Sequence, residues 1–126
     1  MASAWSLLAD KYSTAETSIG HRWNFQSGML GLRDEIDPTL EALQAYRAAL
    51  HIVANSAGLF LSLTRLFRMG KPALFVPWSD ISTSETEGAF SDKMKLDFPA
   101  VPRVSLYISD ALGREVIKHA GSPVAT

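Results

Sequence analysis

The chain contains no cysteine among its 126 residues. This absence excludes a disulfide framework, cysteine-ligated zinc, iron–sulfur clusters and thiol catalysis, and it is compatible with a reducing compartment. The sequence also has no uncharged apolar run of the roughly 18 residues that a membrane-spanning helix needs. The segment Met1–Asp10 lacks the basic start and long apolar stretch of a signal peptide. We therefore expect a cytoplasmic protein, with association to a membrane surface as a further option.

Neither sign of charge is in excess, because 12 lysines and arginines stand against 13 aspartates and glutamates. Without surplus basic groups the chain has little means of displacing counterions from nucleic acid, so nucleic-acid binding is not expected. The eight glycines are scattered and form no phosphate-binding loop. The three histidines, His21, His51 and His119, lack the spacing of metal ligands. The sequence therefore predicts neither a metal site nor a cofactor.

Apolar residues make up 47% of the chain and charged residues 20%, which is the composition of a folded domain. A chain of this length buries roughly two-thirds of its unfolded surface around one core. No repeat or linker-like stretch divides it. We therefore predict a single domain over residues 1–126, with an N-terminal helix and loop at 1–20, strands at 21–108 and a capping helix at 109–121.

Short alternating segments predict a mainly β fold, in the α+β class by element count. In one of them Met94, Leu96 and Phe98 face one way while the intervening side chains are charged. Pro77 cannot donate in a ladder and predicts an edge or a bulge. We expect a seven-stranded antiparallel barrel or sandwich in which each strand pairs with its neighbours along the chain. The predicted strands are 22–31, 46–54, 58–63, 73–77, 79–82, 93–98 and 103–108.

Two helices and one insertion complete the prediction. Ser3 is a candidate N-cap for a short amphipathic helix, which should pack on the outside of the domain. Ser109 is the matching N-cap of the terminal helix, which Gly121 and Pro123 should end. Residues 33–45 are rich in acids and carry Pro38 before a helix-forming run, so an acidic, partly helical insertion is expected there.

The order of elements and one stretch of residues resemble a known fold. The run Lys71–Ile81 resembles the apolar strand, proline, aromatic and Ser/Asp segment of bacterial PH-like and GRAM-like domains. Together with 54–62 and 67–72, it is similar to a group of small uncharacterised bacterial proteins. The resemblance covers residues 46–81 and otherwise only the order of elements. It implies a PH-like barrel with a C-terminal capping helix and a non-catalytic binding or scaffolding role.

One segment carries the predicted binding site. Residues 64–71 place basic side chains among apolar ones in what should be a loop, an arrangement that suits an anionic membrane surface or a groove on a protein partner. The alternative is that Leu66 or Phe67 simply completes the third strand and packs in the core. The candidate binding residues are Arg65, Leu66, Phe67, Arg68 and Lys71.

Two other functions stay open. A small hydrolase would need Ser or Asp beside a histidine, for example His51 or His21 gathered with Asp80 or Glu85 in a pocket. An incompletely closed sheet would leave strand edges through which the protein could self-associate. The leading hypothesis is that the protein is a binding module and not an enzyme.

Overall fold

The computed structural model describes residues 3–15, 19–64, 70–86 and 92–120. Within these ranges the chain is mostly β and forms one seven-stranded antiparallel sheet, curled into a half-barrel, with a short N-terminal and a C-terminal helix. The predicted fold class is confirmed. The elements are α1 (Ala4–Tyr12), β1 (His21–Arg33), β2 (Glu41–Ala54), β3 (Gly58–Leu63), β4 (Leu74–Pro77), β5 (Ser82–Glu85), β6 (Lys93–Asp97), β7 (Val104–Ser109) and α2 (Asp110–Ile117).

The strand order is β4-β3-β2-β1-β7-β6-β5, so two meanders meet where β1 pairs with β7. The expectation that every strand pairs with its neighbours along the chain is wrong at one point, since β4 and β5 lie at opposite edges. Between them residues Trp78–Asp80 form a 3-10 turn, which also makes the predicted strand at 79–82 wrong. Pro77 ends β4, an edge strand, as its missing donor predicts.

The predicted helical insertion at 33–45 is also wrong, because β1 and β2 form one long hairpin. The two strands pair from His21 opposite Ala54 to Arg33 opposite Glu41, with one irregularity at residues 24–25 of β1 and another at residues 47–49 of β2. Backbone amides and the Thr39 hydroxyl donate to the carboxylates of Asp34 and Asp37 in the loop 34–40. These bonds hold the pKa of both carboxyls below the usual range. Cross-strand packing therefore overrides the helix propensity of residues 39–45.

The helix α1 is part of the core, which corrects the expectation that it lies outside. Trp5 is 1% exposed, and its indole N–H donates to the carbonyl of Pro72 at 2.9 Å. Ser3 caps α1 as predicted, by accepting from the Ser6 amide. At the other end the Tyr12 hydroxyl donates to Asp80 at 2.7 Å. The helix thereby closes one side of the concave face.

The helix α2 covers β6 and β7 and begins at the predicted N-cap. Ser109 accepts a hydrogen bond from the Leu112 amide, and Leu112 and Val116 are buried. The residues predicted to end this helix, Gly121 and Pro123, lie outside the described ranges. The two helices and the sheet therefore share one hydrophobic core.

At Gly113 the helix α2 lies in close contact with β6. A Cβ added there would lie 2.5 Å from Sδ and 2.9 Å from Cβ of Met94. We expect Gly113→Ala to lower the free energy of unfolding by about 1–3 kcal/mol, because the extra methyl overpacks the contact. Chemical denaturation measures this loss.

The matched background is Met94→Ala, which removes the Sδ contact and leaves the Cβ contact at 2.9 Å. In that background we expect Gly113→Ala to cost less than in the wild type, because one of the two close contacts is gone and alanine is the better helix former by about 1 kcal/mol. An equal loss in both backgrounds would contradict the steric explanation.

Candidate functional site

At one end of the concave face a groove opens between the start of α1 and the hairpin of β1 and β2. We call it the end groove, and its volume is about 310 Å³. Its surface is mainly apolar, with few polar side chains at the rim. The residues that line it are Ser3, Ala4, Leu30, Leu32, Ala42, Leu43, Gln44, Tyr46 and Lys71.

The pairing of β1 with β2 determines which side chains reach the end groove. Leu30 lies opposite Gln44 and Leu32 opposite Ala42, and directly opposed residues of an antiparallel pair share one face of the sheet. Tyr46, on the same face, packs edge-on against Trp5 with 6.0 Å between the ring centroids. The floor of the groove is therefore continuous with the core, whereas its rim is open.

Exposed apolar side chains gather beside this groove. Leu40 and Ile36 in the adjoining loop are 59% and 94% exposed, and Leu43, whose side chain lies on the other face of β2, is 43% exposed. Ile19 and Phe25 are the other large exposed apolar residues in the described part of the chain. An exposed apolar patch next to an open groove is typical of an interaction surface.

The charges around the end groove are unequal. Lys71 is the single cation among the lining residues and is half-buried. The loop that adjoins the hairpin end carries the exposed acids Asp34, Glu35 and Asp37. A positive group thus lies at the rim of the groove, and a negative loop lies at the tip of the hairpin.

Only one residue of the predicted binding site falls in the described part of the chain. That residue is Lys71, and it lies in the end groove. The prediction for Arg65, Leu66, Phe67 and Arg68 lies outside the described residues. The sequence did not indicate the apolar walls, which come from three elements distant along the chain.

A polar network that the sequence did not reveal covers the convex face. The Tyr107 hydroxyl donates to Glu41 at 2.8 Å, and Ser105 donates to Asp97 at 2.8 Å. Arg33 lies between the two carboxylates, 3.9 Å from Glu41 and 3.7 Å from Asp97. Burial and the Glu41 hydrogen bond raise the pKa of Tyr107. No buried side-chain polar atom in the described ranges lacks a hydrogen-bond partner, so the network contributes to the stability of the sheet.

The histidines of the hydrolase hypothesis have other neighbours. His21 stacks on His119 with 4.7 Å between ring centroids, and His51 lies 3.1 Å from the Asn24 amide oxygen. Asp80 accepts from Tyr12 and contacts the Ser79 hydroxyl at 3.4 Å. The side chain of Glu85 lies outside the described part. In the described ranges no group of three His, Asp or Glu side chains is placed to hold a metal ion.

Comparison with known proteins finds no matching family model, no matching curated protein and no matching solved structure. The resemblance to PH-like and GRAM-like domains therefore stays a prediction. Among the described residues, no helix is long and apolar enough to cross a membrane. By its fold and its end groove, the protein is a half-barrel domain with an open apolar groove.

Proposed function

We propose that the protein is a binding module whose end groove receives an apolar side chain of a protein partner, with an acidic group of that partner beside Lys71. The observation that supports this proposal most is the open groove of about 310 Å³, which is lined by apolar side chains and continued by the exposed Leu40. Sites that bind ligands are commonly apolar hollows with a few polar groups that fix orientation. Lys71 supplies such a group.

The charge around the groove favours a protein over an anionic membrane as the partner. Asp34, Glu35 and Asp37 are exposed at the tip of the same hairpin. An anionic bilayer attracts basic segments and repels acidic ones, so this loop opposes membrane docking by the groove end. A short peptide segment can instead place its acid at Lys71 and avoid the acidic loop.

Selection from a random peptide library on the immobilised wild-type protein tests the proposal. We expect enrichment of peptides in which an apolar residue lies next to Asp or Glu. Ala42→Phe should fill the groove and Lys71→Glu should repel the acid. Each variant is therefore expected to weaken binding of the selected peptides at least about tenfold, which is roughly 1.4 kcal/mol. Fluorescence anisotropy of a labelled peptide measures the affinity.

Two matched substitutions on α2 serve as controls. Ala111 and Lys118 are exposed there, away from the groove. Ala111→Phe and Lys118→Glu should leave peptide affinity unchanged, and circular dichroism verifies that all four variants fold. If every selected peptide binds the groove variants and the wild type equally well, the proposal is wrong.

A further inference from the structure

A second hollow opens on the convex face, beside the polar network of Tyr107. We call it the convex hollow, and its volume is about 240 Å³. Met29 lies opposite Ala45 on one side and opposite Tyr107 on the other, so β2, β1 and β7 share this face. The lining of the hollow, which lies wholly within the described ranges, includes Ser27, Met29, Ala45, Arg47, Lys93 and Tyr107.

The convex hollow forms where regular strand pairing stops. The pairing of β1 with β7 ends at Gly28, and β2 is irregular at residues 47–49. Within this irregularity Ala48 has a φ of 54°, in the left-handed region that favours glycine. The Ala48 amide donates to the Ser27 hydroxyl oxygen at 2.9 Å. Irregularities of this kind re-aim neighbouring side chains, and Arg47, the first residue of this one, lines the hollow.

The charge of the convex hollow is positive. Arg47 and Lys93 line it, and the described residues that line it include no acid. Arg47 is exposed and forms no ion pair within the described ranges. The Lys93 ammonium lies 3.8 Å from the carboxylate of Asp92, whose side chain is 76% exposed. Such an exposed pair contributes little to stability, so Lys93 can exchange it for a ligand. Two cations in one hollow predict a ligand with two negative charges.

Met29 and Tyr107 give the convex hollow an apolar wall. Tyr107 is buried, and its hydroxyl donates to Glu41 at 2.8 Å, which holds the ring in place. Arg33 lies 3.9 Å from the same carboxylate, so the charge of Glu41 is balanced on the far side of Tyr107. An apolar wall beside charged groups is typical of a site for a ligand with an apolar body and an ionic head.

We propose that the convex hollow binds a phosphate monoester whose apolar body is small, such as an aryl phosphate. The Arg47 guanidinium offers parallel N–H donors to two phosphate oxygens, and Lys93 supplies the second positive charge. Ser27 accepts from Ala48 and keeps its own hydroxyl proton for a further bond to the phosphate. A carboxylate, with one negative charge, leaves one of the two cations unmatched. The inference is independent of the end groove, which opens on the concave face.

Titration with phenyl phosphate, followed by NMR chemical shifts, tests the site. We expect the amide signals of Ser27, Met29 and Ala45 to shift, with a dissociation constant below about 1 mM. Arg47→Gln and Lys93→Gln should each raise that constant at least about tenfold. Benzoate and inorganic phosphate should bind less tightly than phenyl phosphate, because the first lacks a charge and the second lacks the apolar body. Met29→Ala should weaken phenyl phosphate binding and leave inorganic phosphate binding unchanged.

Lys118→Gln, which neutralises an exposed cation of α2, is the matched control and should bind phenyl phosphate like the wild type. Circular dichroism of each variant verifies folding. The proposal is overturned if these amides do not shift up to about 10 mM phenyl phosphate. Equal affinities of folded Arg47→Gln and the wild type overturn it too. Ala42→Phe, which fills the end groove, should keep phosphate binding, so the two proposals can fail independently.

A peptide that contains phosphotyrosine distinguishes the two sources of an aryl phosphate. If the peptide binds the convex hollow more tightly than phenyl phosphate, the group belongs to a phosphorylated protein. If the two bind equally, contacts beyond the phosphoryl and aryl groups add nothing, and the ligand is a free small molecule. In both cases Arg47→Gln should weaken binding at least about tenfold.

Discussion

Replacing Trp5 by alanine is expected to lower the free energy of unfolding by about 3–5 kcal/mol. Trp5 is 1% exposed and belongs to the core that α1 shares with the sheet. The substitution leaves a cavity against Tyr46 and removes the donor to the Pro72 carbonyl. Both losses act at the place where α1 joins the segment before β4. Urea denaturation at neutral pH measures the change.

Leu7→Ala is the control on the same helix, because Leu7 is only partly buried against the core. Its cost should be well below that of Trp5→Ala, since less apolar surface is removed from the interior. If Trp5→Ala cost no more than Leu7→Ala, α1 would not contribute to the core in the way described above.

Raising the pH above 10 is expected to destabilise the fold through its three tyrosines. Burial raises the pKa of Tyr12, Tyr46 and Tyr107 above the ordinary value of 10.0, and hydrogen bonds to Asp80 and Glu41 add to the effect at Tyr12 and Tyr107. Above pH 10 the unfolded chain releases these protons while the folded chain keeps them, so stability falls as pH rises. The slope is roughly 1 kcal/mol per tyrosine for each pH unit. Urea denaturation between pH 7 and pH 11 measures it.

Tyr12→Phe isolates the contribution of one tyrosine. At pH 7 the variant should be less stable than the wild type by about 1 kcal/mol, because its bond to Asp80 is lost. Above pH 10 the free energy of unfolding of the variant should fall less steeply than that of the wild type, by roughly 1 kcal/mol for each pH unit. Parallel curves for the variant and the wild type would show that Tyr12 does not retain its proton in the fold.

Features that depend on residues close together in sequence could be predicted. The alternation of Met94, Leu96 and Phe98 predicts β6, which ends one residue before Phe98, and all three side chains are buried. Ser3 and Ser109 cap their helices because a serine hydroxyl satisfies an amide three residues on. Asn55 likewise closes the turn between β2 and β3 by accepting from the amides of Ala57 and Gly58. Each of these bonds is local, so the sequence pattern suffices.

Features that depend on distant pairing could not be predicted. Residues 39–45 have helix propensity, but Arg33 opposite Glu41 and the pairs beyond it hold them in β2. The placement of β4 and β5 at opposite edges follows from the pairing of β1 with β7, which no local pattern encodes. Propensity is weak beside such tertiary contacts.

The end groove could likewise be predicted from the sequence only in part, because its walls depend on distant pairing. Lys71 could be singled out as a basic residue within an apolar segment, and it does line the groove. The walls could not be foreseen, because they combine α1 with the far ends of β1 and β2. Without the register that puts Leu32 opposite Ala42, the sequence does not reveal that these residues share one surface.

The pairing of β1 with β7, which we call the seam between the two meanders, has a consequence for the kinetics of folding. Hairpins β1–β2, β2–β3, β3–β4, β5–β6 and β6–β7 join neighbours in sequence, whereas the seam joins residues 28–32 to residues 104–108. Closing a long loop costs entropy before the contact is formed, so non-local pairing is slow. We expect the slow step of folding to be the encounter of β1 with β7, after the separate meanders have formed.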